Sequence, residues 1–299
     1  MKVYKGNYKN IKNDIPMAVA IGNFDGVHLG HQALINKLFT LDDDLMKAVI
    51  TFHPHTMQLF TKNLFQTIST VADKEDFFRN LNLDQAYFIE FDNEFSNLLV
   101  PQMIDFLQKI NVKTIIVGSD FKFGQKGVGR PNDLSKDFEV IVVDDIIDGN
   151  QRISSTLIKD LITNGDLENV KRLLNHSYQV TCIVITGNQI GGSVLGFPTA
   201  NLDYNNLVLP PNGVYYVKVK YNNQTYDGMA NIGNNPTVNF SSTKRMEVHI
   251  LDFDKSIYHE TLKIEFIKWL RSEKKFNSKD ELIKQLKQDR NFVKQLSKN

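Results

Sequence analysis

The stretch Ala18-Val19-Ala20-Ile21-Gly22-Asn23-Phe24-Asp25-Gly26-Val27-His28-Leu29-Gly30-His31 decides the fold of the first half of the chain. Four apolar residues read as a buried strand, and Gly22 ends it. Over residues 31–39, Leu34, Ile35 and Leu38 fall at helical spacing on one face. A glycine-rich turn therefore joins a buried strand to a helix. That junction is where α/β sheets bind nucleotides, because free helix N–H groups and the helix dipole favour phosphate.

Outward from this unit the same alternation continues. Residues 48–52, 86–91, 114–117 and 139–143 read as strands, and residues 71–81 and 101–110 as helices. The order predicts a parallel sheet with helices on both faces. Two short helices follow, over 154–163 and 166–174, separated by Asn164-Gly165. After Ser177 the pattern changes. Residues 180–186, 214–221, 225–232, 245–251 and 262–270 are strand-like, with turns at Asn222-Asn223 and Asp227-Gly228. That predicts a β-barrel or sandwich. A helix over 279–296 closes the chain. The expected domains are 1–177 and 178–299, and residues 1–14 contribute little to the reading.

Composition excludes several classes. The chain has 299 residues, 41% hydrophobic and 23% charged, with 35 basic and 34 acidic residues. A formal charge of +1 argues against nucleic acid held by a global basic field. It is uneven, however: residues 1–177 carry 19 basic and 23 acidic groups, and residues 178–299 carry 16 and 11. No apolar run reaches the roughly 18 residues of a membrane span. The first twenty residues lack a signal peptide's apolar block. The single cysteine, Cys182, permits neither an internal disulfide nor a multi-cysteine zinc site. The expectation is a cytoplasmic protein with no nucleic-acid or membrane partner; the sequence does not indicate its oligomeric state.

Gly22, Gly26 and Gly30 allow tight turns and close backbone approach to a ligand. His28 and His31 are three apart, so at a helix start they share a face. Beside a phosphate, two imidazoles donate hydrogen bonds to charge developing on its oxygens. A zinc fragment is the rival reading, but no cysteine or close acidic third ligand accompanies the pair. In the second half, Gly187, Gly191, Gly192 and Gly196 precede Phe197-Pro198-Thr199-Ala200-Asn201. Thr199 and Asn201 face one way in an extended segment. Their hydroxyl and amide oxygens suit a partly hydrated Mg²⁺. A plain glycine-rich hairpin followed by a strand fits that segment equally well. Glu247 and His249 alternate with Val248 and Ile250, so the two polar side chains share a strand face.

The ten residues from Gly22 to His31 resemble the GxFDxxHxGH signature of the nucleotidyltransferase superfamily. Thr51-Phe52-His53-Pro54-His55, Gly118-Ser119-Asp120-Phe121-Lys122-Phe123-Gly124 and Arg152-Ile153-Ser154-Ser155-Thr156 resemble further segments of the adenylyltransferase module of prokaryotic FAD synthetases. The resemblance implies an ATP site of Gly22, Asn23, Phe24, Asp25, His28, His31, His55, Asp120, Arg152, Ser155 and Thr156, with His28 and His31 catalytic. His53 reads as a loop residue. The Gly187–Leu202 segment, Asn231-Ile232-Gly233-Asn234-Asn235-Pro236-Thr237, Glu247-Val248-His249-Ile250-Leu251 and Leu270-Arg271 resemble the riboflavin kinase module in its order. It implies an ATP and flavin site of Gly187, Gly192, Gly196, Pro198, Thr199, Asn201, Asn231 and Arg271. It also implies Thr199 and Asn201 as Mg²⁺ ligands and Glu247 as catalytic base; His249 reads as structural.

Together the modules resemble the prokaryotic bifunctional riboflavin kinase/FAD synthetases. They imply a Rossmann-like α/β nucleotidyltransferase domain followed by a mainly β kinase barrel with a C-terminal helix. The implied substrates are small molecules: riboflavin, FMN and ATP, with FAD as product and Mg²⁺ as cofactor. Four residues depart from the pattern. Thr56 replaces a proline at a turn. Ser193 replaces an arginine of the kinase glycine loop. Lys159 replaces an arginine, keeping charge but losing the bidentate fork. His259 replaces a glycine at a turn. Two rivals remain: a chain with one active module, and a flavin-sensing regulatory or RNA-binding protein on the same scaffold.

Overall fold

The computed structural model describes residues 1–61, 65–186, 197–234 and 244–298. The chain divides into two units, Met1–Ile158 and Lys159–Asn299. The division falls inside the first of the two short helices that the sequence places before the β-rich half.

In the first unit, the strands are β1 (Lys2–Gly6), β2 (Met17–Ile21), β3 (Met46–His53), β4 (Gln85–Glu90), β5 (Val112–Gly118) and β6 (Glu139–Val143). They form one sheet in the order β1-β4-β3-β2-β5-β6. Every pairing in it is parallel. Helices α1 (Leu29–Leu38), α2 (Thr56–Phe60), α3 (Val71–Asn80), α4 (Asn93–Ser96), α5 (Val100–Lys109) and α6 (Pro131–Leu134) connect them. Strand side chains alternate between two cores. Met17, Val19 and Ile21 pack with Met103, Phe106 and Leu107 of α5. Ala18 and Ala20 pack with Ile35 and Leu38 of α1 and Phe78 of α3. Both faces of the sheet are thus apolar and covered, which is why the central strands read as unbroken hydrophobic runs. Each fully buried Leu, Ile or Phe contributes about 1.5–3 kcal/mol.

Residues 1–14, which contribute little to the sequence reading, supply β1 at the sheet edge, in register from Lys2 opposite Gln85 to Gly6 opposite Ile89. A short hairpin, β7 (Ile147–Asp148) with β8 (Gln151–Arg152), was also not foreseen. It leads into α7 (Ser155–Asn164) and α8 (Leu167–Leu174).

In the second unit, β9 (Gln179–Ile185), β10 (Ala200–Asp203), β11 (Gly213–Tyr221), β12 (Gln224–Asn234), β13 (Lys244–Ile250) and β14 (Thr261–Arg271) form a closed antiparallel barrel. This settles the choice between barrel and sandwich. Val180, Cys182, Val184, Met246, Val248, Leu262 and Ile264 are buried on alternate positions of their strands. Cys182 is one such packing residue. The last helix, α9 (Lys279–Leu296), is capped by the Ser278 side chain and packs Leu286, Val293 and Leu296 with Val214, Tyr216 and Met229.

Candidate functional site

The sheet order places β2 between β3 and β5, so the chain runs away to opposite sides from the carboxyl ends of β2 and β5. In open α/β sheets that crevice is the ligand site. The Gly22–His31 segment leaves β2, His53-Pro54-His55 leaves β3 and Ser119-Asp120 leaves β5. Three separated sequence segments thus meet at one sheet edge.

The loop after β2 is strained. Phe24 has φ 48° and Val27 φ 41°, in the left-handed region that a β-branched residue rarely enters. Each such residue costs on the order of 1–3 kcal/mol, and such strain persists only where the surroundings over-determine it. Here they do. Phe24 is fully buried. The Asp25 carboxylate accepts from the backbone N–H of Ile68 at 2.8 Å and of Ser69 at 3.2 Å. The Gly26 N–H donates to the Ser69 hydroxyl at 2.9 Å. Gly26, at φ 78°, has no room for a side chain: a Cβ would lie 2.8 Å from Ile68. Asn23 donates its amide to the Thr56 hydroxyl at 3.1 Å. Thr56 therefore does more than fill a turn, as had been expected of it. It opens α2 and ties that helix to the loop.

His28 caps α1. Its Nδ1 accepts from the His31 backbone N–H at 3.4 Å, which leaves the ring proton on Nε2. The two imidazoles stack with centroids 3.7 Å apart. Burial pushes the His28 pKa down to about 4; Arg152 adds to that shift and Asp25 opposes it. Burial also holds His31 well below the ordinary histidine range, with His28, Lys74 and Arg152 adding to it. Both rings are neutral at pH 7, so they act as hydrogen-bond donors and not as cations. The His31 Nδ1 is buried without a hydrogen-bond partner among the described residues. Behind Gly30, where a Cβ would meet the His28 ring at 3.2 Å, runs the Ile153 carbonyl at 3.6 Å. The Arg152–Thr156 segment therefore lies against the histidine pair. His55 caps α2 through Nδ1, which accepts from the Met57 N–H at 3.2 Å, and its ring stacks on Phe65.

Arg152 and Asp120, far apart in sequence, form an ion pair at 2.8 Å. The Arg152 guanidinium holds the Asp120 carboxyl below its usual range. Asp145 takes the other side of Arg152 at 3.0 Å. Asp145 was missed because it sits in an acidic run that reads as solvated surface. Ser155 donates to the Asp25 carbonyl at 2.9 Å, Ser154 caps α7, and Thr156 is exposed. Lys74 of α3 was also missed. It is 4% exposed and donates to the Asn23 carbonyl at 2.8 Å.

The second group is set by strand register. Asn201 of β10 lies opposite Glu247 of β13. Glu247 lies opposite Asn231 of β12, Asn231 opposite Val214 of β11, and Val214 opposite Arg271 of β14. Directly opposed residues share a sheet face. Four residues singled out from the sequence thus form one transverse row across five strands. The row lies on the barrel's outer face, because Val248 and Ala230, its strand neighbours, fill the interior.

Along the row, Arg245 pairs with the Glu247 carboxylate at 2.8 Å. Arg271 holds Asp289 of α9 with a guanidinium fork, Nε at 3.0 Å and Nη2 at 2.8 Å from Oδ2. His249 contacts the Pro198 carbonyl at 2.8 Å and packs edge-on to Phe197. It fixes the entry to β10, where Pro198 and Thr199 are exposed. Arg290 of α9 lies over the Phe197 ring at 5.6 Å. Gly187, Gly192, Gly196 and Ser193 lie outside the described residues.

Among the described residues no group of three His, Cys, Asp or Glu side chains could hold a metal ion. Asn201, whose amide oxygen is a neutral hard donor of the kind Mg²⁺ accepts, lies opposite Glu247, and Thr199 is exposed just ahead of β10.

A family model described as FAD synthetase matches residues 10–157, and one described as riboflavin kinase matches residues 174–297. The bifunctional riboflavin kinase/FMN adenylyltransferase of Listeria monocytogenes is 38% identical over 92% of this chain and 91% of its own length. Those of Bacillus subtilis and Haemophilus influenzae are 36% and 37% identical, each over 91% of this chain and over 90% and 91% of their own lengths. A solved structure from Streptococcus pneumoniae, described as a macrolide-efflux protein, matches with TM-score 0.84 and 31% identity over 98% of both chains. Among the described residues of the present chain no helix is long and apolar enough to cross a membrane.

Proposed function

The chain belongs to the family of bifunctional riboflavin kinase/FMN adenylyltransferases, and from that premise we propose how its residues divide two reactions. It phosphorylates riboflavin to FMN and adenylylates FMN to FAD, with ATP as co-substrate in both steps. Adenylyl transfer belongs to residues 1–177 and phosphorylation to 178–299. Consumption of ATP in both steps supports a cytoplasmic location.

In adenylyl transfer the FMN phosphate attacks the α-phosphorus of ATP and pyrophosphate leaves. The nucleophile is already an anion near neutral pH, so no general base is needed. Positioning and charge stabilisation carry the step. His28 donates from Nε2, and His31 donates beside it, to oxygens on which charge develops. Ser155, Thr156 and the N–H groups opening α7 add an anion-binding end. Asp120 orients Arg152.

The kinase nucleophile is the ribityl 5′-hydroxyl, a neutral alcohol, and a carboxylate that accepts its proton is useful there. Glu247 takes that role, and Arg245 orients its carboxylate. Thr199 and Asn201 would hold Mg²⁺, which when bound offsets charge on the ATP phosphates. The observation that carries this reading is the transverse row, which brings Asn201, Asn231 and Arg271 onto the face that presents Glu247. No observation favours the single-module or the regulatory reading.

The test is Glu247→Gln in the full chain, with riboflavin and FMN supplied separately. FMN formation falls by about 10²–10⁴-fold, the usual contribution of a general base, while FAD formation from FMN persists. Equal loss of both activities in a folded variant would overturn the division of labour.

A further inference from the structure

We propose that Lys74 is a positioning residue for adenylyl transfer: from behind the loop its ammonium clamps the Asn23 carbonyl and supplies a fixed positive charge to the site. The inference rests on the assignment of adenylyl transfer to the first unit.

Two hydrogen bonds converge on that carbonyl, from Lys74 Nζ at 2.8 Å and from the Thr51 hydroxyl at 3.0 Å. The next residue is Phe24, whose backbone is in the left-handed region. The clamp therefore sits at the peptide that enters the strained part of the loop, and α3 and β3 both hold it. Lysine is almost never buried without a reason. A lysine ammonium carries three donors. Among the described residues this one makes a single hydrogen bond, to the carbonyl.

Charge supplies the second argument. Negative charge builds on the departing pyrophosphate. The histidines nearest the reacting phosphate are neutral at pH 7, for the reasons given above. Arg152 is offset by Asp120 and Asp145. Lys74 is different. Buried charges are screened much less than exposed ones, and its charge is felt at both His31 and His53. The charged or titratable groups facing it are Asp25 from the loop, His31 from α1 and His53 from the end of β3. Burial lowers the Lys74 pKa to about 8, and Asp25 opposes the shift. Above neutrality both histidines stay neutral, while Lys74 loses its charge as the pH passes about 8.

The test compares the full-length wild type with Lys74→Met and Lys74→Arg, following FAD formation from FMN and ATP across pH 6.5–9.5. In the wild type, kcat falls on an alkaline limb near pH 8. Lys74→Met lowers kcat by at least about 30-fold, below the 10²–10³ typical of losing a direct donor, with KM for FMN little changed. Lys74→Arg, whose charge does not titrate in this range, recovers activity and loses the limb. Riboflavin phosphorylation is unchanged in both variants. A Lys74→Met enzyme with wild-type kcat, or an alkaline limb that survives in Lys74→Arg, would overturn the proposal. So would a loss in Lys74→Met that saturating substrate repairs. If Lys74→Met does not fold, the pH profiles of the wild type and Lys74→Arg decide alone. A wild type that forms no FAD at any pH would instead overturn the assignment on which the proposal rests.

Discussion

The two candidate sites solve the same problem, ATP-dependent transfer to a flavin, with opposite kinds of scaffold. The first is a loop at the edge of a parallel sheet. Its geometry is held by buried polar contacts around residues in unfavourable backbone conformations, and its histidines are kept neutral by burial. The second is a row on the outside of an antiparallel barrel, where register alone aligns the side chains and the key carboxylate is half-buried beside Arg245. The difference follows the chemistry. An anionic nucleophile asks for donors and strict positioning, which a strained, over-determined loop supplies. A neutral alcohol asks for an accessible base, which a strand face supplies.

The comparison is broken most directly at His28. His28→Asn retains an acceptor suited to capping α1 but removes the ring donor. FAD formation should fall by about 10²–10³-fold, the usual cost of an oxyanion donor, with riboflavin phosphorylation intact. Parallel loss of both activities would show that the sites are not separable in this way.

A smaller effect tests how the barrel is held. Arg271 and the nearly buried Asp289 join β14 to α9. Asp289→Ala leaves a guanidinium without its partner and should destabilise the second unit by about 2–3 kcal/mol, below the full cost of a wholly buried pair because Arg271 is partly exposed. The only tryptophan, Trp269, lies in β14. Its fluorescence in a denaturant titration therefore reports the second unit alone, and an unchanged midpoint would reduce the fork to decoration.

The smallest effect is pH-linked stability of the first unit. The folded His28 pKa of about 4 lies below the ordinary 6.5, so the unfolded chain takes up the proton first. The stability associated with neutral His28 is complete above pH 6.5 and declines as pH falls towards 4. By pH 5 the loss should be about 1–2 kcal/mol, seen as a lower melting temperature of the first unit, with a shallower decline in His28→Asn. An identical decline in that variant would assign the acid sensitivity elsewhere.

Much of the architecture was legible because apolar periodicity reports it directly. The run 139–143 and the helix 279–296 match the observed elements residue for residue. The edge strand β1 escaped because Lys2-Val3-Tyr4-Lys5-Gly6 carries few of the apolar residues that mark a strand buried on both faces. The motif residues of the first site were legible as glycines, histidines and hydroxyls. Lys74 was not: it precedes Phe77 and Phe78 by three and four residues and so shares the apolar face of α3, where a lone lysine reads as a stem that carries its ammonium out to solvent. Only its 2.8 Å contact with a loop fifty residues away reveals it. Arg245, Asp145 and Asp289 escaped for the same reason: an ordinary charged residue gains meaning from the partner that tertiary structure brings to it. The transverse row escaped because periodicity gives each strand its faces but not which residue lies opposite which.

That row makes the second site a matter of parity. Strand side chains alternate with a period of two, so removing one residue from β13 ahead of Glu247 would turn it inward and present Val248 outward in its place. Removing two would restore the face and shift the site by one pair. A deletion series through β13 should therefore alternate between inactive and partly active kinase, whereas changes of length in the turn at Asn222-Asn223 carry no such alternation. The reaction's tolerance of insertions and deletions is thereby written in even and odd numbers.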